Sequence, residues 1–506
     1  MYTRTQLSAS AIIAALFCAT SAQADVTADQ VWQDWKSYYA QMGQTITAGS
    51  ETREGDTLLV KDVKFASTMP NATTEGTVAE IRLKELGDGT VELTLSPEIP
   101  VAIHQTPAEG QPSDIAMKLT HTDAKVLVSG TPEAMDYAFT ATDIGLSMDE
   151  AKVEGSAAPL KMLVTAHGNS GVYHSTLAAG RTIKSEYNAD SVDFALAGAD
   201  PESGGTFNLT GSMNGLAGTG LMVMPDGVNF DDMNAALQAG MSMDGNFGYA
   251  DGTYKIEGTG TDGNFTADSS GGAGKLTFKM SKDGLAYGGD SSDNKLALSG
   301  PSMPFPVEAT VANTAFNLVM PVSQSDTAQP ASFLVKIVDL AVSDTLWGMV
   351  DPMAKLPHDP ATLVLDLSGS IKPLINLFDP KAAEAAVATA EGGITDNLPT
   401  PFEVSEAKIN ALQLKAVGAE LTGTGAVTLD NTVTPPKPLG AIDLNLTGAN
   451  KLMDSLVAMG LVPEDQMMGM RMMMGMFAVP AGEDALTSKI EFKEDGGIYA
   501  NGQRIQ

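Results

Sequence analysis

The chain has almost no cysteine: Cys18 is the only one in 506 residues. It falls inside a segment that reads as a secretory leader. Arg4 supplies the basic start, residues 9–19 the apolar core, and Ala22-Gln23-Ala24 a small-x-small cleavage site. A lipid-anchored reading at Cys18 is weaker, because bulky Phe17 stands where a small residue is needed. Cleavage would start the mature chain at Asp25 and remove the sole thiol, which excludes disulfides and thiol chemistry. The apolar core is too short to stay in a bilayer as a span, so the mature chain is expected in the periplasm with no transmembrane segment.

Basic residues are scarce as well. Lys and Arg number 30 against 62 Asp and Glu, a formal net charge of −32. Nucleic acid needs a basic patch to replace its counterions, so it is excluded as a partner class, and anionic lipid headgroups are disfavoured. Aromatics make up only 6%, too few for the two girdles of an outer-membrane barrel, and the polar end Arg504-Ile505-Gln506 argues the same way. Catalytic signatures are missing too. There is no G-x-S-x-G elbow, P-loop or H-E-x-x-H, and neither calcium-loop spacing nor a glycine-aspartate nonapeptide array occurs. The reading is therefore non-enzymatic, with no catalytic residues and no cofactor.

Glycine is abundant, at 51 residues, and so is period-two alternation. Residues 57–65, 78–86, 91–95, 115–119, 125–129, 137–142 and 160–166 alternate apolar and polar, the pattern of half-buried strands. Asp-Gly pairs at Asp88, Asp244, Asp251, Asp262 and Asp283 read as hairpin turns. Residues 245–289, rich in Gly, Ser and Asp, read as exposed or edge-like strands. Before these strands, residues 27–43 form an amphipathic helix with a Thr27/Gln30 capping box. Val31, Trp35, Tyr38 and Met42 lie on its packed face, with Trp32 and Tyr39 beside it. A short helix is expected at residues 230–239.

Pro-rich residues 300–306 divide the mature chain into regions 25–300 and 301–506. Strands resume at 307–320, 332–342, 362–368, 402–417, 419–429 and 441–446. A short helix or turn is expected at 345–350 and, with Asp379 as cap and Pro380 first, an Ala-rich helix at 379–391. Alternating strands repeatedly end in Leu-Thr/Ser-Gly, as at Leu298, Leu367, Leu421 and Leu446, which suits one long sheet with equivalent strand ends. The fold class is mainly β: a long antiparallel meander with room to curve around an apolar groove, plus a few capping helices.

The C-terminal part reads strand, helix, Met-rich helix, strand and closing turn. Asn450 is placed as the first helix's cap, Gly460 as its stop, and Pro463-Glu464-Asp465 as the start of the second. That second helix carries Met467, Met468, Met470, Met472, Met473, Met474 and Met476 around Arg471. Three readings compete. Methionine can fill an irregular core, or it can hold varied acyl chains or partner helices, with Met467, Met470, Met473, Met474 and Phe477 as the contact set. Alternatively its thioethers bind Cu(I), with Met468, Met470, Met472 and Met474 as ligands.

The stretch 356–369 and this C-terminal unit resemble the domain of unknown function 2125 family of Gram-negative envelope proteins. The closing Asp495-Gly496-Gly497-Ile498-Tyr499-Ala500-Asn501-Gly502 is more distantly similar to the end of AsmA-like proteins. The first resemblance implies a periplasmic β-rich protein with no assigned activity. The second implies an elongated sheet with an apolar groove that contacts lipid or envelope proteins. Unlike typical AsmA-like members, this chain has no retained N-terminal membrane helix.

Five histidines complete the inventory. His167 and His174 flank Gly168-Asn169-Ser170-Gly171, read as a turn that would set them across a hairpin. No third metal ligand has fixed spacing, so solvated histidines are the favoured reading.

Overall fold

The computed structural model describes residues 25–506 apart from 70, 107–109, 201–202, 229–231, 262, 302 and 380–400. The leader, the Asp262 turn residue and the Ala-rich helix from Pro380 lie outside the described residues. The described residues are 65% strand and 11% helix. Among the described residues, 28 strands join one sheet. Nearly every strand pairs antiparallel with its sequence neighbours, and short strands align end to end into longer ones. The sheet is thus roughly 20 strands across, about 90 Å at the usual inter-strand spacing. The strands flanking residues 300–306 pair directly, from Leu285↔Met320 to Leu298↔Val307, so the sheet runs unbroken past that segment. No pairing among the described residues joins the first and last strands, so the sheet stays open.

Period-two alternation leaves one face of this sheet apolar along its whole width. A single row of directly opposed residues shows it. The row begins Leu58, Leu83, Leu93, Val126, Phe139, Gly171. It continues Tyr187, Gly218, Phe247, Leu276, Gly289, Phe316 and ends Val335, Leu365, Leu412, Gly423, Leu444. Every member is aliphatic, aromatic or glycine. The opposite face carries rows such as Thr219, Asn246, Thr277 and pairs such as Lys255 with Asp268.

Glycine has a packing role in the apolar row. A Cβ on Gly171 would collide with the Phe139 ring. Without it, Phe139 and Tyr187 reach across the intervening strand and stack with centroids 6.1 Å apart. Rings leaning over a neighbour's glycine cover exposed backbone and pin register. Residues 245–289 keep the expected exposure, with Tyr254, Phe265 and Leu276 41–44% exposed, but they are not edge strands, because each pairs on both sides.

A crease crosses the sheet. Asp62, Asp123, Gly168, Gly215, Asp293 and Asp339 have left-handed backbone conformations, and they fall in register from strand to strand. Register runs unshifted across Asp62, Gly168, Gly215 and Asp293, so these are kinks and not inserted residues. Val60 and Val63, on either side of Asp62, both reach the core, so the inward parity changes at the kink. Two sequence expectations fail here. Residues 168–171 lie within the strand Leu160–Ala178 and are not a turn. Asp244 lies inside the strand Ser242–Tyr249 and Asp251 opens Asp251–Gly260, so neither marks a hairpin. Gly168 takes left-handed geometry inside a strand as readily as in a turn, and the two Asp-Gly pairs simply continue their strands, so neither signal by itself separates strand interior from turn.

Five helices are described: α1 (Ala28–Gln41), α2 (Met233–Gln238), α3 (Asp344–Val350), α4 (Ala449–Ala458) and α5 (Glu464–Phe477). The Thr27/Gln30 capping box is present on α1. Trp32, expected beside the packed face, is at its centre and only 1% exposed. Asn450 is not a cap. Gly448 holds that position, and the Asp484 carboxylate accepts the backbone N–H groups of Asn450 and Lys451 at 2.9 and 3.1 Å.

Candidate functional site: an apolar sheet face with helical covers

Helices α1, α2 and α5 all lie on the apolar face. Val31 and Trp32 of α1 sit in a core with Leu58, Leu83, Leu93 and Val128. A polar clasp holds the rest of α1. The fully buried Arg181 guanidinium donates to Asp34 at 2.7 Å, to Ser175 at 2.7 Å and to Gln41 at 3.1 Å. The Tyr137 hydroxyl donates to the other Asp34 oxygen at 2.8 Å. Burial, reinforced by Asp34, pushes the Tyr137 phenol far above its ordinary value, and burial does the same to Tyr173. Beside the clasp is a cavity of about 320 Å³ lined by Trp35, Tyr38, Tyr39, Phe139 and Tyr173. Every polar group of Arg181 is engaged with α1 or its strands, so the clasp reads as an anchor. Helix α2 covers the face further along, with Leu237 against Met280, Met243 and Phe278.

Helix α5 roofs the far part of the same face. Met470, Met473, Met474 and Phe477 face Leu421, Leu444, Leu446, Leu486 and Ile490 across a cavity of about 390 Å³. Its one hydroxyl, Ser488, is spent on the Phe477 carbonyl at 2.5 Å. The wall is otherwise hydrocarbon and thioether, a surface suited to a flexible apolar chain and without groups for acid–base chemistry. The structure thus gathers four of the five residues in the expected contact set; the fifth, Met467, is buried near the start of α5 and does not line the cavity. The proposed copper set is split. Met470 and Met474 line the cavity, whereas Met468 and Met472 point outward and are 64% and 70% exposed.

Between the covers the apolar face is open. Phe207, Tyr254, Phe265, Phe316 and Phe333 are 37–44% exposed. Sequence reasoning missed these rings as a group. Their signal was aromatic residues opposite glycines on neighbouring strands, and it becomes visible only once register is known.

The polar face has a larger hollow of about 760 Å³, lined by residues such as Asp193, Lys255, Asp268, Lys295 and Glu308. Alternating charges and hydroxyls keep it hydrated, so it is the weaker candidate despite its size. The histidines also lie apart. His167 and His174 share one strand and do not face each other. His167 meets Asp143 at 2.6 Å and Asp193 at 3.2 Å, while His174 meets Asp136 at 2.6 Å. The Asp143 hydrogen bond, aided by Asp193, raises the His167 value. His358 stacks on Trp347 with centroids 4.2 Å apart. Among the described residues no three His, Cys, Asp or Glu side chains converge to hold a metal.

An open antiparallel meander with one apolar face and short helical covers is the class the geometry defines. The sequence profile of a family described as an uncharacterized protein conserved in bacteria, domain of unknown function 2125, matches residues 228–505. The chain belongs to that family. No curated protein matches it. Among the described residues no helix is long and apolar enough to cross a membrane.

Proposed function

We propose that this chain is a non-catalytic envelope protein, exported to the periplasm, whose apolar sheet face receives the acyl chains of lipid. One observation carries the reading: the unbroken apolar row from Leu58 to Leu444, with half-exposed rings along it and a hydrocarbon-walled cavity under α5. Water-exposed aromatic surface on this scale favours covering by an apolar ligand. The similarity of residues 495–502 to AsmA-like proteins points the same way.

Native mass spectrometry of protein released gently from its host envelope is the test. Phospholipid-mass adducts are expected, and Leu444→Asp, which puts a carboxylate into the cavity wall, is expected to lower their occupancy at least about tenfold. A clean apo mass for the parent protein contradicts the proposal.

A further inference from the structure

We infer that the end of the sheet carrying α3 and α5 docks on the surface of a zwitterionic bilayer. The register places both helices at the same end. Leu340 opposes Ala361, Thr362 opposes Lys415, Ala416 opposes Ala419 and Glu420 opposes Thr447, so the chain leaves Val342 and Thr447 on one side of the sheet. Each helix there has an apolar surface that nothing among the described residues covers. On α5, Met468, Met472 and Met476 follow helical i, i+4, i+8 spacing and are 64%, 70% and 58% exposed. At α3, Met349 and Val350 are 56% and 53% exposed, and Met353 just beyond is 57% exposed.

A helix apolar on its outer as well as its inner side has its polar environment removed when it works. Three observations select a bilayer as the occupant. First, the two patches stand roughly 15–20 Å apart at the usual strand spacing, so one flat apolar medium can meet both. Second, the α5 stripe has no Trp, Tyr or free Arg among its methionines of the kind that anchors protein interfaces; Arg471 is paired with Asp454, and Trp347 of α3 is stacked on His358. Third, the α5 surface is continuous from the outer stripe round to Met470, Met473 and Phe477 in the cavity wall. An acyl chain leaving the bilayer along α5 would therefore reach the cavity without crossing water. The charges choose the lipid: Glu464 and Asp465 open α5, its one cation Arg471 is paired with Asp454, and the chain carries a formal net charge of −32, so anionic headgroups oppose docking.

The inference rests on the acyl-chain reading above for its purpose, and the test separates the two. Flotation of the full chain with phosphatidylcholine vesicles is expected to bring the protein to the top of the gradient. Bound fraction should fall as phosphatidylglycerol is added. The triple variant Met468→Gln, Met472→Gln, Met476→Gln is expected to lose vesicle binding at least about tenfold while keeping lipid adducts in native mass spectra, which also shows that it is folded. Failure of the parent to float, unchanged flotation of the variant, or binding that rises with anionic lipid overturns the inference. So does a dimer of the parent chain that the triple variant abolishes, since a second copy would then be what covers the stripe. Flotation without any lipid adduct supports docking and overturns the acyl-chain reading instead.

Discussion

Arg181 is the residue on which the position of α1 turns. Its side chain is fully buried and Asp34 is only 8% exposed. Removing one member of a buried, hydrogen-bonded pair leaves an uncompensated charge, at a cost of about 3–5 kcal/mol. Asp34→Ala is therefore expected to destabilise the protein by about that amount in urea unfolding followed through tryptophan emission, since Trp32 and Trp35 both sit on α1. The double change Asp34→Leu with Arg181→Met should recover part of the loss, because no charge is then left buried. Equal loss in both variants would show that shape, not charge, holds the clasp. Nothing in the sequence around Arg181 marks this role: its partners Asp34 and Gln41 are far away in the chain, and only the sheet brings them together.

Among elements, α4 depends on a carboxylate that comes after it in the chain. Burial raises the Asp484 value, but the backbone N–H groups of Asn450 and Lys451 outweigh it and hold the carboxyl below its ordinary range. A depressed acid contributes stability above its unfolded value, near pH 4, and loses it as pH falls through the folded value. Asp484→Ala is expected to cost about 1 kcal/mol, as for loss of a helix cap. It should speed amide exchange of residues 449–458 at pH 7, and the difference from the parent should shrink as pH falls through the depressed folded value. Unchanged exchange at pH 7 would contradict the capping role. Strands, helices and the α1 capping box were legible in the sequence because their signals are local: period two, period 3.6, and Thr27 with Gln30. The α4 cap was not, because a cap supplied from 34 residues away looks, in sequence, like the nearest Asn. Residues 168–171 were misread as a turn for a related reason. Gly168 satisfies the same backbone need in a strand or a turn, and only the partner strands reveal which one applies.

At the scale of the whole molecule, the Met-rich helix and the sheet were each foreseen, but the unbroken apolar row was not. Its existence depends on the alternation of each strand agreeing with that of its neighbours. A slip of one residue in any strand would turn that strand's apolar residues to the polar face. Residue types give the alternation within each strand; only register shows that the strands agree. The α5 cavity, the open rings at Phe207, Phe265 and Phe316, and the core under α1 are then parts of one surface. The most direct measurement of that claim is photo-crosslinking with a phospholipid that carries a diazirine in its acyl chain, followed by peptide mapping. Crosslinks are expected on apolar-face residues of several strands, among them Phe247, Leu276, Phe316 and Leu444, and on Met470 or Met473 of α5. Labelling confined to the polar face, or absent from the sheet altogether, would contradict it.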